Sequence, residues 1–287
     1  IRFLIAAPIL SGTVLGLVGI FGALSPTKDN LHEIFASFGY QNHAAQFFTL
    51  LTAIQLGRMA LALREKQGSW VRWGANSLIL GVLICSVILS LSRTGFICLA
   101  LLGLISVGWL FLQFGFRVHP KSVIVALSTA ALISGIFWVL SRSQNNYRLT
   151  REWQNLSVSS LADSLQGDGR KAQIRAGVSM WLDAPLYGWG AWGYRHTISQ
   201  YLDQEHIEIM DMGSANTHCD PIQFLAEIGL IGTLALAVFP LQLLGLLVRG
   251  RAWSRSAALF SSVGLGLIGL WAFVDLPFRN TAIIHLV

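Results

Sequence analysis

Seven apolar stretches, each near the length of one bilayer crossing, recur along this 287-residue chain: Phe3–Leu24, Ala44–Leu63, Gly74–Leu91, Gly95–Phe114, Ser122–Leu140, Ile228–Val248 and Ser256–Val274. A helix needs about 20 mainly apolar residues to cross the hydrocarbon core, whereas a barrel strand needs only about 10. Lipid offers no hydrogen bonds, so a run of that length satisfies its backbone internally as a helix. The predicted fold class is all-α, a polytopic transmembrane helix bundle with one large, partly helical external (periplasmic) loop. The second stretch is the least apolar, because it carries Gln46, Gln55 and Arg58. Composition agrees: 54% of residues are hydrophobic and 12% charged, about half the charged share of a soluble domain.

The formal net charge of +6 does not point to nucleic acid, because the cations concentrate in short loops between spans, where they report orientation. Arg64, Lys66 and Arg72 lie between spans two and three, Arg117 and Lys121 between four and five, and Arg249, Arg251 and Arg255 between six and seven. These alternate loops fall on one side, predicted to be the cytoplasm. The connections Ser25–His43, 92–95, Ser141–Glu227 and 275–280 are then external. Cys85, Cys98 and Cys219 stand apart and imply no disulfide framework.

This gives three segments: residues 1–140 with five spans and short loops, 141–227 as an external loop domain, and 228–287 with two spans and the start of another. Ile1 is not a methionine, and "TAIIHLV" at the other end reads like the opening of a span. The chain is therefore expected to be a piece of a longer protein.

The unusual polar residues gather on the predicted external side. In "ANTHCDPIQFLAEIGLIG", residues 215–232, Asp220 reads as a helix N-cap, with Pro221 at the first helical position and Gln223 completing a capping box. Glu227, about 9 Å along that helix, is expected in a structural ion pair near the interface. His218 is surplus to the cap; beside a helix N-terminus it is suited either to plain solvation or to anion contact and base chemistry. Arg93 in "SRTG" has almost no loop around it, so it either snorkels to lipid phosphates or grips a phosphate with its planar fork. In "DGRKAQIRAGVSMWLDAP", Ile174, Val178, Trp181 and Leu182 recur at helical spacing. Arg170 shares that stripe and Arg175 lies off it, which favours Arg170 as the ligand candidate. "PLYGWGAWGY" sets Gly188, Gly190 and Gly193 among Trp189, Trp192 and Tyr194, suited to tight turns, close ligand approach or an interfacial aromatic belt. No zinc spacing, nucleophile elbow or nucleotide loop is present, and no metal or cofactor is expected.

Together these pieces resemble the O-antigen ligase and polymerase superfamily of bacterial envelope glycosyltransferases, over roughly Gly39 to Asn280. "GYQNHAAQFF" resembles the family's Asn-containing entry to a span, and "SRTG" its Ser-Arg-x-Gly turn. Arg170, followed fifteen residues later by "PLYGWGAWGY", is similar to its Arg…Pro-Leu-x-Gly-x-Gly pattern. "THCDPIQFLAEIGLIG" resembles its His-Asn-x-x-x-Gln-x-x-x-Glu-x-Gly-x-x-Gly block, and "DLPFRN" its Asp-x-Pro element.

The resemblance implies an inverting, metal-independent transferase at the outer face of the bacterial plasma membrane. Its donor would be a glycan on undecaprenyl diphosphate; its acceptor would be lipid A core, a growing glycan or a protein hydroxyl. Carried over by position, Arg93 and Arg170 would bind the diphosphate and His218 would activate the acceptor hydroxyl. Arg175, Gly188, Gly190, Trp192, Asp220, Gln223 and Glu227 would support them. Cys219-Asp220 stands where many ligases carry Asn-Ser, which leaves ligase, polymerase and protein-glycosylating members all open. A transporter or flippase for a lipid-linked or other anionic substrate is the rival from another class. It would place ionisable residues opposite one another near mid-membrane, where only Arg58 is expected. A purely structural assembly factor would need none of these residues.

Overall fold

The computed structural model describes residues 2–24, 35–65, 69–115, 120–142, 168–203, 207, 216–249, 256–275 and 277–279. Lys66, Arg117, Arg251, Arg255, Asn280 and the stretch 281–287 lie outside the described residues. The fold is all-α: among the described residues there are helices and short 3₁₀ turns but no strand. The helices are α1 (Arg2–Leu24), α2 (Gln41–Arg64), α3 (Trp70–Leu89), α4 (Arg93–Phe114), α5 (Pro120–Arg142), α6 (Asp168–Asp183), α7 (Gly193–Thr197), α8 (Asp220–Arg249) and α9 (Ser256–Trp271).

All seven apolar stretches are helical. Among the described residues five helices are long and apolar enough to cross a membrane: α1 to α4, and α8 over Asp220–Gln242. In α5 and α9 the apolar part is shorter, Val123–Gly135 and Ala257–Trp271. The protein is a multi-pass membrane helix bundle.

The chain forms two compact units, one of residues 1–156, 251–267 and 285–287, the other of 157–250 and 268–284. In the first unit α2 is the central helix, with 15 of its 24 residues buried against four of 22 in α4. That accounts for its polar content, since Gln46, Thr49, Thr52 and Gln55 face protein rather than lipid. Gln55 Nε2 donates to Asn76 Oδ1 of α3 at 3.0 Å, and Arg58 Nη1 donates to Gln55 Oε1 at 3.3 Å. The lipid-facing positions are apolar, with Leu104 and Leu112 of α4 and Leu127 of α5 exposed.

Ser side chains start two of these helices. Ser69 accepts from Arg72 N, and Ser92 accepts from Gly95 N, each at 3.3 Å. Such caps satisfy backbone donors that the first helical turn leaves open. Arg93 is therefore the first helical residue of α4 rather than part of a loop.

In the second unit α6 packs on α8, and α7 and the 3₁₀ turn Ile198–Gln200 pack beside them. The buried face of α6 carries Ala176, Gly177 and Met180, which corrects the stripe expected from sequence. Ile174, Val178 and Trp181 are only half-buried, and Leu182 is exposed. Close approach selects the small residues: a Cβ on Gly177 would lie 2.8 Å from Ile222 and 3.0 Å from Thr217. The bulky side chains are turned outward by one helical position.

Candidate functional site

Within the second unit, α8 is not one straight helix. Gly229 has φ 66° and ψ −173°, which breaks it into two segments. A break leaves backbone carbonyls and N–H groups without helical partners, and residues 185–190 supply them. Trp189 N donates to Ala226 O at 2.9 Å and Gly190 N to Glu227 O at 2.7 Å, while Leu230 N donates to Pro185 O at 2.8 Å and Ile231 N to Leu186 O at 3.2 Å. The fit leaves no room for side chains. A Cβ on Gly229 would lie 2.3 Å from Leu186 O, and one on Gly188 would lie 2.5 Å from the carbonyl carbon of Glu227. Gly188, also at positive φ, thus serves chain-to-chain packing at the break; no ligand approach is needed to explain it. Gly190 (φ 89°) has open space where its Cβ would be. The loop is fixed further by Trp189 Nε1 donating to Met180 O at 2.7 Å. It leaves Tyr187 and Trp192 exposed, with the Arg195 guanidinium 4.9 Å from the Trp192 ring centre.

The start of α8 is built from buried polar contacts. Gln223 Oε1 accepts from Thr217 N at 3.0 Å, and Gln223 Nε2 donates to Glu227 Oε1, also at 3.0 Å. Thr217 Oγ1 accepts from Cys219 N at 3.0 Å. Gln223 closes no capping box with Asp220; its Oε1 reaches the backbone N–H of Thr217, three residues before Asp220. Asp220 is not the cap. Its own N–H donates to Ala272 O at 2.8 Å, and its Oδ2 accepts from Phe278 N at 2.9 Å. One residue therefore holds both ends of the segment 272–278 against the start of α8.

Asp275 sits between those two anchors. It is 1% exposed and its Oδ1 lies 3.5 Å from His218 Nδ1. Among the described residues neither Asp275 oxygen accepts a hydrogen bond, and the His218 imidazole is the group its Oδ1 faces. Ionising a carboxylate there unpaired would cost several kcal/mol. His218 Nδ1 is itself buried, while the side chain as a whole is 28% exposed. The accessible part of the ring is therefore the remainder, which carries Nε2. His218 also adopts φ 52°, a left-handed conformation that costs a non-glycine residue of order 1–3 kcal/mol and clusters at functional sites. Burial pushes the neighbouring Cys219 thiol up, so it stays protonated and is no competing nucleophile. Burial and the charge of Glu227 also hold the Tyr194 hydroxyl above its usual range, which leaves it a fixed donor to Gln173 O at 2.8 Å.

Arg170 is half-buried in the first turn of α6. It lies three residues before Gln173 and seven before Gly177, on the face that packs against α8, about 10 Å along the axis from the Gly177 contact. Arg175 is exposed.

In the first unit, Arg93 is half-buried at the N-terminus of α4. The turn before it is pinned by Ser92 Oγ donating to Asn42 Oδ1 at 2.7 Å and by Leu91 at φ 60°. A cation at a helix N-terminus opposes the helix dipole, a penalty that a bound anion would relieve.

The sequence profile of the O-antigen ligase family matches residues 78–237, more than half of the chain. The chain belongs to the O-antigen ligase family. Membership makes it a glycosyl-transferring membrane enzyme. No curated protein and no solved structure matches the chain. The matched segment includes Arg93, Arg170, His218 and the break at Gly229, whereas Asp275 falls outside it. Sequence reasoning singled out "DLPFRN" but not Asp275 within it. The available signal was an acidic residue closing an apolar run, on the same predicted side as the surplus histidine.

Proposed function

We propose that this O-antigen ligase family member transfers a glycan from undecaprenyl diphosphate to an acceptor hydroxyl at the outer face of the bacterial plasma membrane. His218 facing the buried Asp275 carries the reading. A carboxylate on Nδ1 favours the tautomer with its proton there, which leaves the Nε2 lone pair toward the accessible side. Nε2 takes the proton of the acceptor hydroxyl as its oxygen attacks the anomeric carbon. The bond from that carbon to the diphosphate oxygen breaks, and undecaprenyl diphosphate leaves with the electron pair. Attack opposite the leaving group inverts the anomeric centre. Asp275 stabilises the imidazolium that forms.

Arg93 and Arg170 are assigned to the diphosphate. The planar guanidinium matches phosphate oxygens in pairs, and charge neutralisation on the leaving group lets the reaction proceed without a metal ion. Arg175, Gly188, Gly190, Trp192, Asp220, Gln223 and Glu227 act in support, Asp220 by holding the Asp275 segment. The cationic alternate loops support an orientation with the site on the periplasmic side. The acceptor is lipid A core, a growing glycan or a protein hydroxyl.

The test is transfer of a labelled glycan from its lipid carrier in proteoliposomes. His218→Ala should abolish transfer while the protein inserts normally. Retained transfer in a normally inserted His218→Ala protein would remove the role assigned to it. Movement of the lipid across the bilayer without a new glycosidic bond would make the protein a transporter instead.

A further inference from the structure

The first unit contains a cavity of about 370 Å³ lined almost wholly by apolar side chains. Met59 and Leu63 of α2, Trp73 of α3, Trp109 of α4, Ala130 of α5 and Phe260 of α9 form its walls. These come from the later part of α2 and α4 and the earlier part of α3, α5 and α9, so one end of each helix converges there. This end carries Arg64 and Arg72, at the opposite end of the helices from "SRTG".

Helices α4 and α5 both pack on α3 but scarcely on each other. The cavity is partly open, and Leu104, Val107 and Leu112 of α4 and Leu127 of α5, outside its lining, are exposed. In a membrane such side chains meet lipid. A cleft of this kind gives water too few partners to hold it, and a void forfeits dispersion contacts along its whole lining. A hydrocarbon chain can enter it from the bilayer without dehydration. The Thr129 hydroxyl on the wall is buried and, among the described residues, has no hydrogen-bond partner.

The rim supplies charge. Arg64 directly follows the lining residue Leu63, Arg72 directly precedes Trp73, and both are exposed. We propose that the cleft between α4 and α5 holds one acyl chain of an anionic phospholipid, with its phosphate headgroup against Arg64 and Arg72. Apolar lining selects a lipid chain, and the cationic rim selects an anionic headgroup over a zwitterionic one.

The full chain, delipidated in mild detergent, is titrated with phosphatidylglycerol, phosphatidylcholine or a polyprenyl phosphate, and bound lipid is counted by native mass spectrometry. Phosphatidylglycerol should bind more tightly than phosphatidylcholine. Arg64→Gln and Arg72→Gln should each weaken it roughly fivefold and leave phosphatidylcholine unchanged. Ala130→Phe, which fills the cleft, should remove the tight site. Equal binding of the two phospholipids overturns the proposal, as does tight binding that survives Ala130→Phe. Displacement of phosphatidylglycerol by the polyprenyl phosphate also overturns it, and would assign the cleft to the tail of the glycan donor. The exposed arginine variants keep the test valid if Ala130→Phe folds poorly.

Discussion

Asp275→Asn preserves the size of the side chain and removes its charge, so it isolates what the carboxylate does for His218. At the observed 3.5 Å, two unit charges attract by about 1 kcal/mol with water-like screening and by about 5 kcal/mol at an effective dielectric near 20. Asp275 is 1% exposed and His218 28%, so the pair lies between these limits. If the imidazolium forms in the transition state, losing that attraction slows transfer by roughly one to three orders of magnitude. The asparagine amide also permits the wrong tautomer, which adds to the loss. Initial rates in proteoliposomes at saturating donor, for Asp275→Asn, His218→Ala and the double variant, measure it. The fall should appear in kcat more than in KM. The double variant should be no worse than His218→Ala alone, because the carboxylate acts only through the imidazole. Asp275→Asn activity within twofold of the parent, or additive losses in the double variant, would refute the reasoning.

Asp220→Ala removes the acceptor for Phe278 N, a buried loss of about 1–3 kcal/mol, and should lower transfer by loosening the Asp275 segment; Asp220→Asn keeps an acceptor and should retain most activity. Gly229→Ala puts a Cβ 2.3 Å from Leu186 O at a backbone conformation that costs about 1–3 kcal/mol on its own, so its thermal unfolding midpoint in detergent should drop. An unchanged midpoint would show that the break tolerates a side chain. Arg93→Lys keeps the charge but loses the paired fork; a rise in the donor KM of roughly tenfold, about 1.4 kcal/mol, is expected, and full activity would leave Arg93 as a lipid-snorkelling residue.

What was legible in the sequence was local. Run length and apolarity suffice to make a helix in lipid, so all seven stretches are helical. The surplus of His218 over the needs of its helix start was visible because capping chemistry is short-range. Interactions set by distant segments were not. The polar residues of α2 made it look like a poor span, yet they are buried inside the unit. "AEIGLIG" reads as uninterrupted helix, and only the docking of residues 185–190 shows why Gly229 breaks it. Asp220 looked like a cap because the pattern beside it fits one, but its carboxylate bonds to Phe278, 58 residues away. On α6 the spacing of bulky apolar residues misplaced the buried face, because contact with α8 is close enough to favour alanine and glycine.

The separation between Asp220 and the segment it holds has a consequence for how the protein is made. His218 leaves the ribosome well before Asp275, with the rest of α8, the connection and all of α9 still to follow. A chain arrested after Arg249 would carry the histidine, the polar helix start and both arginines, but not the carboxylate. On the proposed chemistry, such a nascent chain would transfer glycan roughly one to three orders of magnitude more slowly than the finished protein, so chains lacking Asp275 would consume little lipid-linked glycan.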